Sequence, residues 1–201
     1  MSSPRPSHRE TEIKLRVNDL AGLIHKISRL RARCSGRILE RNALFDTPDN
    51  DFRRRRRLLR LRIETPARSG LIPAGPARTI ITSKSPVPAV AVSRYKEKLE
   101  RELVVQSPRN WPASLRALGF RPGFRYEKFR TTFRLPGVHL DLDETPVGTY
   151  LEIEGTPASI DRVACALGFS PRDYIRSTYW DLNAAECRRR RVIPGNMLFG
   201  A

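Results

Sequence analysis

The chain has 201 residues, enough for a single domain with a sizeable core or two small ones at most, and it reads as one domain. Lys and Arg number 38 against 21 Asp and Glu, a formal net charge of +17, so the expected partner is anionic. With 39% apolar and 29% charged residues, the chain is too apolar for a disordered basic tail and too interrupted by charge for a membrane span of about 20 residues.

Residues 1–8 lack the apolar run of a secretory signal and read as a disordered leading segment, which places the expected location in the cytoplasm. Cys34, Cys165 and Cys187 form no CxxC pair, which argues against a zinc site and a disulfide framework. His8, His25 and His139 form no HExxH and none stands beside a GxSxG-like serine, so triad and zinc-protease chemistry find no support. Any chemistry rests with carboxylates, lysines and arginines.

In chain order, Glu10, Glu12, Lys14 and Arg16 alternate with Ile13, Leu15 and Val17, the period-two mark of a strand with one charged face. Leu20, Leu23, Ile24, Ile27 and Leu30 follow an Asn18-Asp19 start at helical spacing and predict an amphipathic helix over 18–34. Arg53 to Arg57 read as a solvated turn that attracts polyanions. Arg60 and Arg62 then oppose Leu59, Leu61 and Ile63 in a second charged strand. The Pro- and Gly-rich stretches 65–77 and 85–93 predict long connections at one mouth of the fold. Lys98, Glu100 and Glu102 oppose Leu99 and Leu103, and a short helix is predicted over 112–118. Lys128 and Arg130 oppose Phe129 and Phe133, Asp141 and Asp143 oppose Leu140 and Leu142, and Glu152 and Glu154 oppose Leu151 and Ile153. A third helix starts at Pro157 behind Thr156 and carries Ile160, Val163, Ala164 and Leu167. The words Ala117-Leu118-Gly119-Phe120 and Ala166-Leu167-Gly168-Phe169 predict two similar glycine-capped helix-to-strand corners. The expected domain is 9–185, followed by a basic extension over 186–201 that includes Arg188 to Arg191.

Strands with one charged and one apolar face fit either an open antiparallel sheet wet on one side or a closed barrel with a charged lumen and helices outside. The barrel fits better, because three amphipathic helices have apolar stripes to bury. Its lumen would hold Glu10, Glu12, Glu100, Glu102, Asp141, Asp143, Glu152 and Glu154 with Lys14, Arg16, Arg60, Arg62, Lys84, Lys98, Lys128 and Arg130. So many enclosed charges call for a ligand with matching parts, such as a metal-bound polyphosphate.

Glu10-Thr11-Glu12-Ile13-Lys14 matches the ExExK signature of the CYTH family, the triphosphate tunnel metalloenzymes. The ordered words that follow strengthen the resemblance: Phe45-Asp46-Thr47-Pro48, Leu59-Arg60-Leu61-Arg62, Thr82-Ser83-Lys84, Glu100-Arg101-Glu102, Glu127-Lys128-Phe129-Arg130, Asp141-Leu142-Asp143 with Gly148, and Glu152-Ile153-Glu154. Ser177-Thr178-Tyr179-Trp180-Asp181-Leu182 also resembles the Ser-Tyr-x-x-Leu word near the end of many members. The resemblance implies an α+β fold, an eight-stranded antiparallel barrel with helices outside, a tunnel for a triphosphate, and dependence on Mg²⁺ or Mn²⁺.

On that basis Glu10, Glu12, Glu152 and Glu154 are expected to share one divalent ion, since hard cations prefer carboxylate oxygens. Glu100 and Glu102 either ligate a second ion or balance charge, and Asp141 and Asp143 hold metal or orient water. Lys14, Arg60, Arg62, Lys84, Lys128 and Arg130 are expected to bind phosphate, Arg as a fork and Lys as a point charge. Lys84, Lys128 and Asp143 are the candidate catalytic groups. One departure stands out: relatives usually carry Tyr before the Phe-Asp-Thr-Pro word, where this chain has Leu44, so a water-activating Tyr and Lys pair is missing.

The implied activity is metal-assisted hydrolysis of a triphosphate, whether inorganic, thiamine or nucleoside triphosphate, by a monomer or homodimer. A class IV adenylyl cyclase releasing pyrophosphate from ATP is the alternative, and a non-catalytic polyphosphate-binding relative is a third reading. The charge also raises a nucleic-acid-binding module, but aromatics are only 7% and the carboxylate pairs on the cationic faces would repel a phosphate backbone.

Overall fold

The structure is a computed structural model and describes residues 7–67, 75–88, 93–106 and 110–200. The alternating segments become strands β1 (His8–Val17), β2 (Arg33–Asp46), β3 (Leu58–Pro66), β4 (Arg78–Pro86), β5 (Lys96–Val105), β6 (Arg121–Leu135), β7 (Val138–Thr145) and β8 (Gly148–Gly155). Each pairs antiparallel with two neighbours, and the sheet closes as a barrel in the order β1-β5-β4-β3-β2-β6-β7-β8. Closure leaves no open edge, and the period-two alternation then sends one face of every strand into the lumen.

The helices are α1 (Leu20–Arg29), α2 (Asp51–Arg54), α3 (Trp111–Ala117), α4 (Pro157–Ala166) and α5 (Tyr179–Arg189). The main core lies outside the barrel. Ile13, Leu15, Val17, Leu140, Leu142, Leu151 and Ile153 meet Leu23 and Ile27 of α1 and Ile160, Val163 and Ala164 of α4. Each fully buried aliphatic side chain contributes about 1.5–3 kcal/mol, so this outer layer holds the charged lumen in place. Leu115 of α3 packs on Phe45 and Leu61 across β2 and β3. Among the described residues no helix is long and apolar enough to cross a membrane.

Several sequence expectations are corrected. The first helix stops at Arg29, and Cys34 lies in β2, because Arg31 takes a left-handed turn (φ 56°) that closes the helix through a bond from its amide to Ser28 O (2.8 Å). Both Gly119 (φ 89°) and Gly168 (φ 90°) cap their helices as expected, and the amides of Phe120 and Phe169 reach back to Leu115 O and Ala164 O (both 2.9 Å). Only the first corner leads into a strand, since Phe169 is followed by a 3-10 turn at Pro171–Asp173. The two Pro-rich connections fall at opposite ends of the barrel rather than at one mouth, because β3, β4 and β5 are consecutive antiparallel neighbours. Residues 68–74 and 89–92 of those connections, and 1–6 of the leading segment, lie outside the described residues, while His8 already belongs to β1.

The closing segment, expected to be a polar extension, docks back on the barrel. Met197 is buried, its amide donates to Arg125 O (3.0 Å) and its carbonyl accepts from Glu127 N (2.8 Å). Phe199 packs against Phe129 with the rings tilted and their centres 5.2 Å apart. Apolar residues beyond the arginine run supply the anchor.

Candidate active site

The lumen is a continuous cavity of about 1770 Å³. Lys14 from β1, Arg60 and Arg62 from β3, Lys84 from β4, and Lys128 and Arg130 from β6 all line it. Glu10, Glu12, Glu100, Glu102, Asp141, Glu152 and Glu154 line it too. Arg16, expected inside, is exposed and donates to the Tyr150 hydroxyl (3.3 Å). Lys98 lines the cavity and donates to the carbonyl of Arg56 (2.8 Å).

The cations fall into two groups. Lys128 and Arg130 both bind Asp143, Lys128 at 2.7 Å and Arg130 through a fork of 2.7 and 2.6 Å. Arg130 also pairs with Asp141 (2.8 Å) and with Glu152. Beneath them lies Glu40, with no exposed surface, 3.4 Å from Arg62 and 3.5 Å from Lys128 and Arg130. Burial alone would raise its carboxyl, but Arg62, Lys128 and Arg130 hold it well below the usual carboxylate range. The second group is built on β3, β4 and β5. Lys84 bridges Glu10 (2.5 Å) and Glu100 (2.8 Å), while Arg60 donates to Thr82 Oγ1 (3.2 Å) and stands 3.8 Å from both Glu100 and Glu102. The Arg60 Nε is buried with no hydrogen-bond partner among the described residues.

Asp143 is fully buried and lies behind the lining rather than on it. It accepts from Lys128, Arg130 and the Tyr179 hydroxyl (2.5 Å). In this position it holds Lys128 and Arg130 in place. Glu152, expected to share an ion with Glu10, Glu12 and Glu154, pairs with Arg130 and with Lys14 (3.3 Å). Burial works against its charge, yet Lys128, Arg130 and Lys14 keep it well below the usual range. Among the described residues no three acidic, histidine or cysteine side chains converge as ligands of one ion.

Glu154 pairs in register with Glu12 across β1 and β8 and has no cation of its own within salt-bridge distance among the described residues. Burial, then the charges of Glu10 and Glu12, push its carboxyl up to about 7. Glu10 and Glu12 are meanwhile neutralised by Lys84 and Lys96. Glu10, Glu12 and Glu154 thus crowd one another and carry the hard oxygens a divalent cation prefers, with Glu10 and Glu12 drawn aside to Lys84 and Lys96.

Several lumen residues escape a reading of the sequence words. Glu40 and Asn42 come from β2, where Arg37 and Arg41 alternate with them and put charge on the opposite face too. Lys96 belongs to the charged face already seen in β5, a signal that would have found it. Tyr126 and Tyr179 stack in the lumen with ring centres 5.6 Å apart, and the Lys14 and Lys128 ammonium groups sit 4.1 and 4.9 Å from the Tyr179 ring centre. The Tyr126 hydroxyl stands 3.5 Å from Arg60. Tyr179 lies in the Ser-Tyr-x-x-Leu-like word, which carried no role on its own.

The arginine run divides. Arg54 and Arg55 pair with Asp49 and Asp51 (2.7 and 2.8 Å), whereas Arg53, Arg56 and Arg57 line the cavity mouth with no carboxylate within 4.0 Å among the described residues.

The comparisons agree with this geometry. The CYTH domain matches residues 8–167. The PH1012 protein of Pyrococcus horikoshii OT3 is 25% identical, with a TM-score of 0.64 over 86% of this chain and 98% of its own. A candidate adenylate cyclase from Vibrio parahaemolyticus is 17% identical, with a TM-score of 0.70 over 88% and 98%. A Hippeastrum protein, named as a candidate adenylyl cyclase with a dominant triphosphatase activity, is 17% identical with a TM-score of 0.56 over 92% and 97%. No curated protein matches. The closed eight-stranded barrel and the family match over most of its length place this chain in the CYTH domain family.

Proposed function

We propose that the protein is a divalent-metal-dependent phosphohydrolase acting on a triphosphate threaded into its barrel. The observation that carries this reading is the convergence of six cations from four strands, Lys14, Arg60, Arg62, Lys84, Lys128 and Arg130, on one enclosed lumen. Arg60 and Arg62 would grip phosphate oxygens as forks, and the lysines would neutralise the remaining charge. Because these groups are fixed by strand register and by Glu40 and Asp143 behind them, they are preorganised for charge that builds on the phosphoryl oxygens during transfer. Glu10, Glu12 and Glu154 are the residues that would hold Mg²⁺ or Mn²⁺, with Glu152, Glu100, Glu102 and Asp141 within the same lining. When bound, such an ion draws charge from phosphoryl oxygens and lowers the pKa of coordinated water. Lys84 and Lys128 touch the substrate in this reading, and Asp143 positions Lys128.

Incubation with tripolyphosphate, thiamine triphosphate and ATP in Mg²⁺ or Mn²⁺, with every product identified, tests the proposal. Orthophosphate without cyclic nucleotide supports it. Cyclic AMP with pyrophosphate makes the protein a cyclase, the second activity in the Hippeastrum neighbour's name. Glu12→Gln or Glu154→Gln keeps the shape and removes an anionic donor, so turnover should fall more than tenfold, about 1.4 kcal/mol of barrier.

A further inference from the structure

Resting on the triphosphate reading above, we propose that Tyr126 is a catalytic base of the reaction, its phenol oxygen taking the proton from the water that attacks the terminal phosphorus. Tyr126 lines the lumen on the face of β6 that carries Lys128 and Arg130, and is 6% exposed. Of the five tyrosines, four donate their hydroxyl proton to a protein oxygen. Tyr95 and Tyr174 donate to Asp161 (both 2.9 Å), Tyr150 to Val147 O (3.4 Å) and Tyr179 to Asp143 (2.5 Å). Tyr126 differs. Its hydroxyl accepts from Arg60 Nη1 (3.5 Å), and among the described residues no oxygen accepts its own proton. A buried hydroxyl that receives a guanidinium bond and keeps its proton unclaimed, inside a cavity walled by cations, is placed to exchange that proton with a bound ligand or its water.

The fold holds that oxygen in place. The Tyr126 ring is stacked between Phe124 and Tyr179, with ring centres 5.5 and 5.6 Å away. Its backbone is clamped on both sides by the closing segment, since Met197 N donates to Arg125 O (3.0 Å) and Met197 O accepts from Glu127 N (2.8 Å). In register Tyr126 lies opposite Asn42, which in turn lies opposite Arg62. The Asn42 amide is already engaged, donating to Glu40 and accepting from Arg62 (both 3.3 Å), so it takes no proton from the phenol. Arg60 joins base to substrate. The guanidinium that would grip a phosphoryl oxygen also bonds the phenol, which puts a water beside that phosphoryl group within hydrogen-bond reach of Tyr126.

The surrounding charges favour the phenolate. Burial pushes the Tyr126 phenol up, but Arg60 and Arg62 of β3 and Lys128 of β6 outweigh it and bring the group below the usual phenol range, with Glu40 of β2 acting the other way. Burial pushes Tyr95, Tyr150, Tyr174 and Tyr179 up instead, so the stacked neighbour Tyr179 stays neutral. In the step itself, the water oxygen forms a bond to the terminal phosphorus while its proton passes to the Tyr126 oxygen. The bond from that phosphorus to the bridging oxygen breaks, and its electron pair leaves with the shortened phosphate chain. The neutral phenol then returns its proton to solvent.

The near-ultraviolet absorbance of tyrosinate, followed in the metal-free protein as pH rises, tests the ionisation directly. One tyrosine should ionise below the free-phenol value of about 10 and ahead of the other four, Tyr126→Phe should remove that first step, and Arg60→Gln should move it up in pH. With tripolyphosphate and Mg²⁺, kcat/KM should rise with pH along the same ionisation, and kcat should rise at higher pH, because bound phosphate offsets the three cations. Tyr126→Phe should lose that rise and about 10²-fold of kcat, the low end for acid–base catalysis, with KM little changed and the fold intact by calorimetry. The absence of an early tyrosinate step, or one that survives in Tyr126→Phe, would overturn the proposal. So would a Tyr126→Phe variant that raises KM and keeps kcat, the mark of a hydroxyl that only steadies Arg60. A pH limb that moves when Mn²⁺ replaces Mg²⁺ would assign the ionisation to water on the ion and overturn it too. Each of these leaves the triphosphate reading intact, whereas no hydrolysis of any triphosphate alongside an early tyrosinate step would remove that reading and the base role together.

Discussion

Replacing Glu40 with Gln isolates the electrostatics of the lumen floor. The side chain keeps its size and its contact with Asn42 Nδ2 (3.3 Å), but Arg62, Lys128 and Arg130 lose the carboxylate that lies within 3.5 Å of each. Removing one partner of a fully buried ionic cluster costs about 3–5 kcal/mol, because the cations left behind stay desolvated. For a chain of this size, ~2–4 °C of melting temperature accompanies each kcal/mol, so a fall of about 6–20 °C is expected by calorimetry without ligand. Tripolyphosphate supplies the missing negative charge, so it should bind the variant more tightly and narrow the gap as its concentration rises. The pH dependence has a definite sign. The Glu40 carboxyl is depressed in the folded protein, so its stabilisation is fully present above the usual carboxylate range and is lost as pH falls from that range down through its depressed folded value. The variant should lack that loss. A melting temperature unchanged from wild type, or a gap that tripolyphosphate widens, would refute the view that Glu40 balances phosphate-binding cations.

The other predictions rest on separate parts of the lumen. Tyr179→Phe removes a hydroxyl donor to Asp143 and should lower the unfolding free energy in urea by about 1.5–3 kcal/mol, the range for a hydrogen bond to a charged group; an unchanged midpoint would mean the bond adds nothing. Glu154 has a raised folded pKa of about 7, so its contribution to metal-free stability is full below the ordinary carboxylate value and is lost as pH rises through about 7. Mg²⁺ must displace that proton, so the Mg²⁺-induced rise in melting temperature should be larger at pH 8 than at pH 6, and Glu154→Gln should flatten it. Arg60→Ala or Lys128→Ala should weaken tripolyphosphate binding at low and high salt alike. Arg56→Ala with Arg57→Ala should act mainly at low salt, and identical salt profiles for the two sets would contradict their division into site and mouth.

Much of this protein is legible in one dimension. Alternation of charged and apolar residues separates the two faces of most strands, and it does so whatever the neighbours are, because side chains in a strand alternate by geometry. The caps of α1 and α4 and the glycine stops are equally local. Asp19 and Thr156 accept from amides three residues on, and Gly119 and Gly168 take the left-handed turn that ends each helix. The six phosphate-binding candidates follow from the charged faces and the ordered family words together.

Which charge meets which is decided only by closing the barrel. Strand order and register set Glu12 beside Glu154 and Lys14 beside Glu152, and they bring Glu40 of β2 under Arg62, Lys128 and Arg130 from β3 and β6. Glu40 stayed hidden in the sequence because Arg37 and Arg41 put charge on the opposite face of β2 as well, so the strand lacks the charged-against-apolar alternation that marks the others. The consecutive arginines look alike in sequence, yet α2 turns Arg54 and Arg55 toward Asp49 and Asp51 and leaves Arg53, Arg56 and Arg57 at the mouth. Tyr179 enters the lumen from α5, more than thirty residues after Asp143, the carboxylate it binds. Sequence spacing fixes which face a side chain takes. Coulombic partners within a few ångströms depend on strands far apart in the chain, and only the closed tertiary structure brings those together.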